Sequence, residues 1–298
     1  MHCATVVSLL ALVLLAGPAA AGTYRWVDAK GGVHYSDRPP QLEAVVGERD
    51  ALIEEALTLS GVRRTIESLP AQVRAGAEAS QSPLPAKERA TVAKIIAEAF
   101  SPGPILASVR TAFQRNYDAM QMGLALAQLR MPVVRKMTEL EVAVNAADFG
   151  QKLRAFAAGV KDAPPPEDRV ARLAQLDAIS GATELMLDIR AAAIVSTLKI
   201  LSSLMPPDQR IAPAQAEVTA RDLVSQQRDA ARQEMLLIFL YVYRDATDPE
   251  LDEYIAIEGS EPGRWLQEIY RKALLEALTV ASEAAVRQVA RSLAPKAR

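Results

Sequence analysis

The sequence predicts a mainly α-helical protein, a multi-helix bundle of about ten helices with a small N-terminal β-hairpin module. Three observations carry this prediction. Apolar residues recur every three or four positions through most of the 298 residues, which is the period of an amphipathic helix. Hydrophobic residues make up 50% of the chain and charged residues 23%, a balance that can bury a core. Gly, Pro and Ser pairs separate the periodic segments, as helix ends require.

The charge balance argues against a nucleic-acid partner. The chain has 34 Lys and Arg against 36 Asp and Glu, for a formal net charge of -2, and 5% aromatic residues. No basic excess is present to neutralise a phosphate backbone, and few aromatic rings are present for base stacking. We expect no nucleic acid among the partners.

The first residues have the pattern of an export signal. Residues 6–17 are apolar apart from Ser8, and small residues follow at Ala19 and Ala21. This pattern predicts a signal peptide over residues 1–21 with cleavage near Ala21. The apolar run is shorter than the ~20 residues that a bilayer span needs. We therefore expect a periplasmic or secreted protein.

The mature chain is expected to lack both cysteine and a transmembrane span. Cys3 is the single cysteine, and it leaves with the signal peptide, so no disulfide would support the fold. The apolar run at residues 235–243 has nine residues, which is the length of a buried helix segment.

A small β-hairpin domain is predicted over residues 22–47. Residues 24–28 and 33–37 are two β-prone runs, and two glycines between them supply the positive φ of a hairpin turn. Residues 42–46 are a candidate third strand. An isolated hairpin is marginally stable in water, so we expect its aromatic residues to contact another surface. The aromatic part of this candidate interaction surface is Tyr24, Trp26 and Tyr35.

The run YRWVDAKGGVHYSDRPP, residues 24–40, resembles domain-of-unknown-function family 4124, which opens many secreted proteobacterial proteins. The Trp-Val-Asp, Gly, His-Tyr-Ser-Asp and Pro-Pro elements occur in order. The resemblance implies an envelope location and a small β module ahead of a variable partner domain. It implies no established activity.

An all-helical domain is predicted over residues 48–298. One apolar stripe runs from Ile105 to Ala127 and predicts a long helix, and a second runs from Leu274 to Val289. Residues 182–204 are apolar on most sides, so we expect that helix to be central. Asp248-Pro249-Glu250 has the composition of a helix start.

A weak internal repeat is visible within this domain. ALTLSGVRRTIESL and LDAISGATELMLDI align so that Ser60-Gly61 falls opposite Ser180-Gly181. This predicts two degenerate repeats, residues 48–162 and 166–293. The alternative is a chance alignment of two amphipathic helix pairs that each end in glycine.

A second resemblance concerns the helical domain. The runs LIEEALTLSGVRRTIESLPAQV and DPELDEYIAIEGSEPGRWLQEIYRKAL are similar to pieces of domain-of-unknown-function family 2059, an exported helical family. The resemblance implies an all-helical fold and no chemistry.

Residues for covalent or metal chemistry are scarce, so we expect no cofactor and no metal. The mature chain has one histidine, His34, and no thiol, which excludes a Cys nucleophile and a thiolate or multi-histidine metal site within one chain. His34 near Asp37 is a candidate base, but we interpret it as a strand residue. Ser196 and Lys199 match Ser-x-x-Lys without the accompanying motifs. Four clustered methionines, at positions 120, 122, 131 and 137, are interpreted as core filling.

An acidic segment supplies the second part of the candidate interaction surface. Residues 245–261 contain seven acids and no base. Their alternation resembles the opening of a calcium loop, but Glu253 stands where the loop needs glycine. We interpret the segment as a solvated helix start, with an acidic surface for a basic partner as the alternative. The candidate residues are Asp248, Glu250, Asp252 and Glu253.

Two functions are compatible with these features. The first is a non-catalytic exported protein that contacts an envelope protein or an apolar ligand. The second is a periplasmic hydrolase that uses paired carboxylates on a glycan-type substrate, with Glu139 or Glu141 as candidates. A hydrolase needs a concave polar pocket with two convergent carboxylates, whereas a binding module shows an apolar groove or an exposed patch.

Overall fold

The computed structural model describes residues 24–27, 33–36, 42–79, 85–146, 148–206 and 209–293. These residues form a mainly α-helical bundle, as predicted. The strands are β1 (Tyr24–Val27) and β2 (Val33–Ser36). The helices are α1 (Leu42–Leu59), α2 (Val62–Ala79), α3 (Ala86–Ala99), α4 (Pro102–Arg115), α5 (Ala119–Leu129), α6 (Pro132–Val142), α7 (Phe149–Asp162), α8 (Glu167–Ser180), α9 (Ala182–Leu204), α10 (Pro213–Ser225), α11 (Arg228–Val242), α12 (Asp248–Glu258) and α13 (Glu261–Leu293), with a 3₁₀ turn at Ala143–Asn145.

The two short strands pair antiparallel, with Trp26 opposite His34 and Arg25 opposite Tyr35. The backbone of β1 lies beside α5. The side chains of the predicted aromatic surface, Tyr24, Trp26 and Tyr35, lie outside the described residues. The predicted third strand at residues 42–46 is wrong, because α1 begins at Leu42. Extending an established helix adds one backbone hydrogen bond per residue, and this favours helix at its N-terminal end.

The helices form two units, which we name the first unit (α1–α6) and the second unit (α8–α13). The first five helices of each unit have equivalent contacts with one another, whereas the last helix of the second unit, α13, also packs along α9. In the first unit, α1 packs on α2, α4 and α5, and α2 packs on α3 and α4. In the second unit, α8 packs on α9, α11 and α12, and α9 packs on α10 and α11. Helices of the two units also contact each other, since α5 packs on α13 and α12 packs on α6.

The first helix pair of each unit is joined through a glycine with positive φ. Gly61 has a φ of 75° and Gly181 a φ of 64°. Both occupy the left-handed region, which ends a helix and which residues with a Cβ rarely adopt. The two glycines of the Ser-Gly pairs aligned in the sequence therefore both have a positive φ in the structure.

The main core lies where the two units meet. It gathers side chains from α1, α4, α5, α6, α8, α12 and α13, among them the fully buried Ile53, Phe113, Met122, Met137 and Leu251. The C-terminal stripe is confirmed, since Ala281, Ala285 and Val289 are buried.

Two expectations about the helices are wrong. The apolar stripe from Ile105 to Ala127 is divided between α4 and α5, because Asp118 caps α5 by accepting a hydrogen bond from the Gln121 amide at 2.9 Å. The break shifts the helical phase and leaves Met120 57% exposed. Helix α9 is peripheral rather than central, since Leu201 is 49% exposed and Leu187 belongs to a small second cluster.

Residues Ala86–Arg115 are long and apolar enough to cross a membrane, judged by length and composition alone. This stretch contains two helices, α3 and α4, with a break at Ser101. Its second half contributes Ile105, Val109 and Phe113 to the main core, so these three residues serve packing within the bundle.

Candidate functional site

The predicted acidic surface is largely paired within the chain. Asp248 contacts Arg169 at 2.5 Å and Arg172 at 3.4 Å, and Arg172 also reaches Asp252 at 2.8 Å. Arg169 further donates to the backbone carbonyls of residues 243 and 246. These contacts hold the start of α12 against α8.

The remaining two acidic residues, Glu250 and Glu253, lie in the first turns of α12. Glu250 forms a capping box with Thr247 and contacts Lys136 Nζ at 2.7 Å. The hydrogen bonds from Lys136 and Thr247 lower the pKa of Glu250 to about 2. Glu253 is exposed. The four candidate residues therefore belong to a capped helix start, and α6 and α8 supply basic partners for three of them, Asp248, Glu250 and Asp252.

The two glutamates proposed as catalytic candidates occupy opposite environments. Glu139 lies on the surface and accepts two hydrogen bonds from the Arg64 guanidinium, at 2.7 and 2.8 Å. These bonds lower the pKa of the Glu139 carboxyl. Glu139 is thus an ion-pair residue that joins α6 to α2.

Glu141, two residues further along α6, has neutral partners. Its Oε1 accepts hydrogen bonds from the phenols of Tyr243 and Tyr254, each at 2.7 Å. Both tyrosines are buried, and protein atoms surround the Glu141 carboxyl group although part of the residue is accessible. Burial raises the pKa of Glu141, whereas the two phenol hydrogen bonds oppose that increase. Burial, followed by the nearby Glu141 charge, raises the pKa of both phenols well above the ordinary value.

A second carboxylate, Glu258, enters the same region from the end of α12. Gln267 of α13 donates a hydrogen bond to its Oε2. Burial, and secondarily the charge of Glu141, raises the pKa of Glu258 to about 7. The charge of Glu141 thus contributes to the raised pKa of Glu258, so the two glutamates titrate as a coupled pair.

Both carboxylates line one cavity of about 140 Å³. Its walls come from the turn between α1 and α2 and from α5, α6, α12 and α13. None of the described residues that line it is Lys, Arg or His. Tyr270 lines one side, with its Oη 2.7 Å from Ser60 Oγ and 3.0 Å from the Ala56 carbonyl oxygen. The polar lining is Ser60, Gln128, Thr138, Glu141, Tyr254, Glu258, Gln267 and Tyr270.

The cavity lies between the first and the second unit. Ser60, Gln128 and Glu141 come from the first, whereas Tyr254, Glu258 and Tyr270 come from the second. Interfaces between structural units are common places for ligand pockets. A carboxyl group with a strongly raised pKa in such a cavity is a candidate for function.

Sequence reasoning identified Glu141 as one of two candidates and missed Glu258, Tyr243 and Tyr254. A local signal was present, since residues four apart such as Tyr254 and Glu258 share a helix face. Their convergence on Glu141 depends on contact between α6 and α12, which helix periodicity does not report.

The other motifs carry no site in the part of the chain that the structure describes. No group of three or more His, Cys, Asp or Glu side chains is arranged to hold a metal ion among those residues. The Ser196 hydroxyl donates to the Ala192 carbonyl at 2.8 Å, the usual bond of a helical serine. Met122 and Met137 are fully buried in the core, and Met131 packs against it. The prediction of core filling is wrong for Met120, which is exposed. The side chain of His34 lies outside the described residues.

Comparison with known proteins covers the start of the chain. No curated protein and no solved structure matches it, and the resemblance of the helical domain to family 2059 stays a prediction. A family model described as a domain of unknown function, DUF4124, matches residues 10–94. The match extends past β1 and β2 through α1 and α2 into α3. The N-terminal part of the chain, residues 10–94, is therefore similar to DUF4124.

Proposed function

We propose that the protein is a non-catalytic binding protein and that its ligand occupies the cavity between the first and second units. The observation that carries this proposal is that Glu141 and Glu258 line the same cavity and have neutral hydrogen-bond donors as their described partners. Charged groups removed from water are costly unless they are paired. A ligand that brings hydrogen-bond donors would offset this cost.

The cavity also indicates what kind of ligand fits. Much of its wall is aliphatic, including Leu129, Val134 and Leu266, so the ligand needs an apolar part. Its volume of about 140 Å³ is below the ~300 to 1,000 Å³ of pockets for drug-sized ligands. We therefore propose a small amphiphilic molecule instead of the purely apolar ligand that the sequence suggested.

A hydrolase that uses the same two carboxylates is the second candidate function. Its support is the difference between the two environments, since two phenols hydrogen-bond to Glu141 while Glu258 has a pKa of about 7. A glycan-cleaving site needs one protonated and one ionised carboxyl group. In this scheme Glu258 protonates the leaving oxygen and Glu141 takes a proton from the attacking water.

One experiment separates these two functions. The full mature chain is titrated with butanamide, a small amphiphile, by protein-observed NMR, and is incubated separately with soluble peptidoglycan fragments. We expect saturable shifts at cavity residues without new reducing ends, and about tenfold weaker binding for Glu258→Gln. The control Glu139→Gln, whose carboxyl pairs with Arg64 on the surface, should bind as wild type. Reducing ends that depend on Glu258 would favour the hydrolase, and unsaturable shifts would contradict a binding site.

We also propose that the chain is exported to the envelope and cleaved near Ala21. The support is the apolar run with small residues after it and the family match at residues 10–94. N-terminal sequencing of the exported protein should give Gly22 as the first residue. An intact Met1 on the mature protein would contradict the proposal.

The domain organisation is a further part of this proposal. We propose that the segment before Leu42, which contains β1 and β2, forms a small β module that docks beside α5, and that the two units arose by duplication of one six-helix ancestor. The proximity of β1 to α5 and the equivalent helix contacts support these statements. We also propose that the helical domain is related to family 2059. A solved member of that family with a different helix order would contradict it.

A further inference from the structure

The carboxylates of the cavity differ from the ion-paired acids of the bundle. Glu54 pairs with Arg63 and Arg110, and Glu55 pairs with Arg130 at 2.8 Å. Glu139, Asp248 and Glu250 have basic partners as well. Within the described ranges, no Lys or Arg forms an ion pair with Glu141 or Glu258. These two acids are thus placed together in the cavity without a cation from the described chain.

The rest of the cavity suits an organic cation better than a metal ion. A hard metal ion such as Ca²⁺ needs about six or more oxygen ligands. The wall of this cavity is largely aliphatic. Tyr254 and Tyr270 line the cavity, and the face of an aromatic ring attracts an ammonium group. An ammonium can donate three hydrogen bonds, and a short aliphatic stem can cover Leu129 and Val134.

We propose that this cavity binds a small primary ammonium compound with a short aliphatic stem, its nitrogen between the carboxylates of Glu141 and Glu258. This assignment rests on the proposed function, because it names the ligand class of the same cavity. The ligand supplies the positive charge that the described lining lacks.

Binding of this kind depends on pH. The titratable groups that face Glu258 are Glu141 on α6, Tyr243 on α11, Tyr254 on α12 and Tyr270 on α13. The phenols are neutral near pH 7, since burial raises their pKa values further above an ordinary value of about 10. The pKa of Glu258 is about 7, so its carboxylate form, and with it the affinity for a cation, increases as the pH rises through 7. An alkylammonium stays charged over this range, with a pKa of about 10.

The test is calorimetric titration of the full mature chain with n-butylammonium chloride, and with 1-butanol as a neutral probe of similar size. At pH 8 we expect butylammonium to bind at least about tenfold more tightly than 1-butanol, and about tenfold more tightly than at pH 6. Glu258→Gln and Glu141→Gln should each weaken butylammonium binding by about tenfold or more and flatten its pH dependence. Glu139→Gln should behave as wild type.

Each of the following results would overturn either the cation assignment or the proposed binding function. Equal binding of 1-butanol and butylammonium would overturn the cation assignment while the proposed binding function stands. Binding of neither probe would overturn both. Unchanged butylammonium binding in Glu258→Gln would show that the cation lies elsewhere. Glu141→Gln changes a buried hydrogen-bond acceptor, so the thermal unfolding of this variant is measured first. If Glu141→Gln is unfolded, the test rests on butylammonium binding by Glu258→Gln.

Discussion

Replacing Gly263 with Ala is expected to lower the free energy of unfolding by about 3 kcal/mol or more, at the upper end of overpacking effects. A Cβ at this position would collide with the Ile257 carbonyl oxygen and would lie 2.7 Å from the Glu258 carbonyl oxygen. These atoms belong to the backbone, so α12 and α13 would have to separate. Urea unfolding followed by circular dichroism measures the change.

The matched control is Gly103→Ala. Both glycines follow a proline in the first turn of a helix, Pro102 in α4 and Pro262 in α13. At Gly103 an added Cβ meets nothing within 4 Å. We expect this variant to remain within about 1 kcal/mol of wild type, because alanine favours helix over glycine. Equal effects at the two positions would contradict the close contact between α12 and α13.

The Gly263 contact also bears on the candidate site. Gly263 lines the cavity, and one of the two carbonyl oxygens that an added Cβ would approach belongs to Glu258. A change at Gly263 that opens this turn moves the Glu258 carboxyl group relative to Glu141. The variant should therefore lose ligand affinity even at temperatures where it is fully folded.

The second large effect is expected from Gly61→Ala, with a loss of about 2 to 5 kcal/mol. Two costs combine at this position. A left-handed backbone costs a residue with a Cβ about 1 to 2 kcal/mol, and the new Cβ would lie 2.6 Å from Val142 Cγ2 and 3.0 Å from Thr138 Cγ2. Overpacking adds about 1 to 3 kcal/mol. The measurement is again the urea midpoint.

Gly181→Ala separates these two costs. Gly181 has the same positive φ, but nothing lies within 4 Å of an added Cβ. We expect a loss of about 1 to 2 kcal/mol, the backbone cost alone. If Gly61→Ala is no more destabilising than Gly181→Ala, the α1–α2 turn does not pack tightly on α6.

Local signals predicted the helix boundaries with success where capping chemistry was explicit. Asp248-Pro249-Glu250 predicted the start of α12, and the structure adds the reciprocal hydrogen bonds of Thr247 and Glu250. The apolar period did not predict the break between α4 and α5 at residues 116–118. Apolar residues lie on both sides of this break, and a shift of one residue in their spacing looks like one continuous helix. The apolar composition of α9 was also misleading, since alanine-rich helices can lie at the surface.

At the candidate site, too, local sequence signals predicted the helix but not the contacts of its side chains. The sequence placed Glu139 and Glu141 on one helix but gave no reason to separate them. The structure assigns Glu139 to Arg64 on the surface and Glu141 to a buried pair of phenols. The distinction depends on which neighbouring helix faces each residue.

From the sequence by itself came the helical class, the breaks at glycine and proline, and the shortage of nucleophiles, because these follow from residue type and from spacings of three or four positions. Only the tertiary structure brought Glu141 to Tyr254, 113 positions away, and to Glu258. Contacts over such separations arise from the packing of whole helices, and burial there changes the pKa of a carboxyl group that would be ordinary in water.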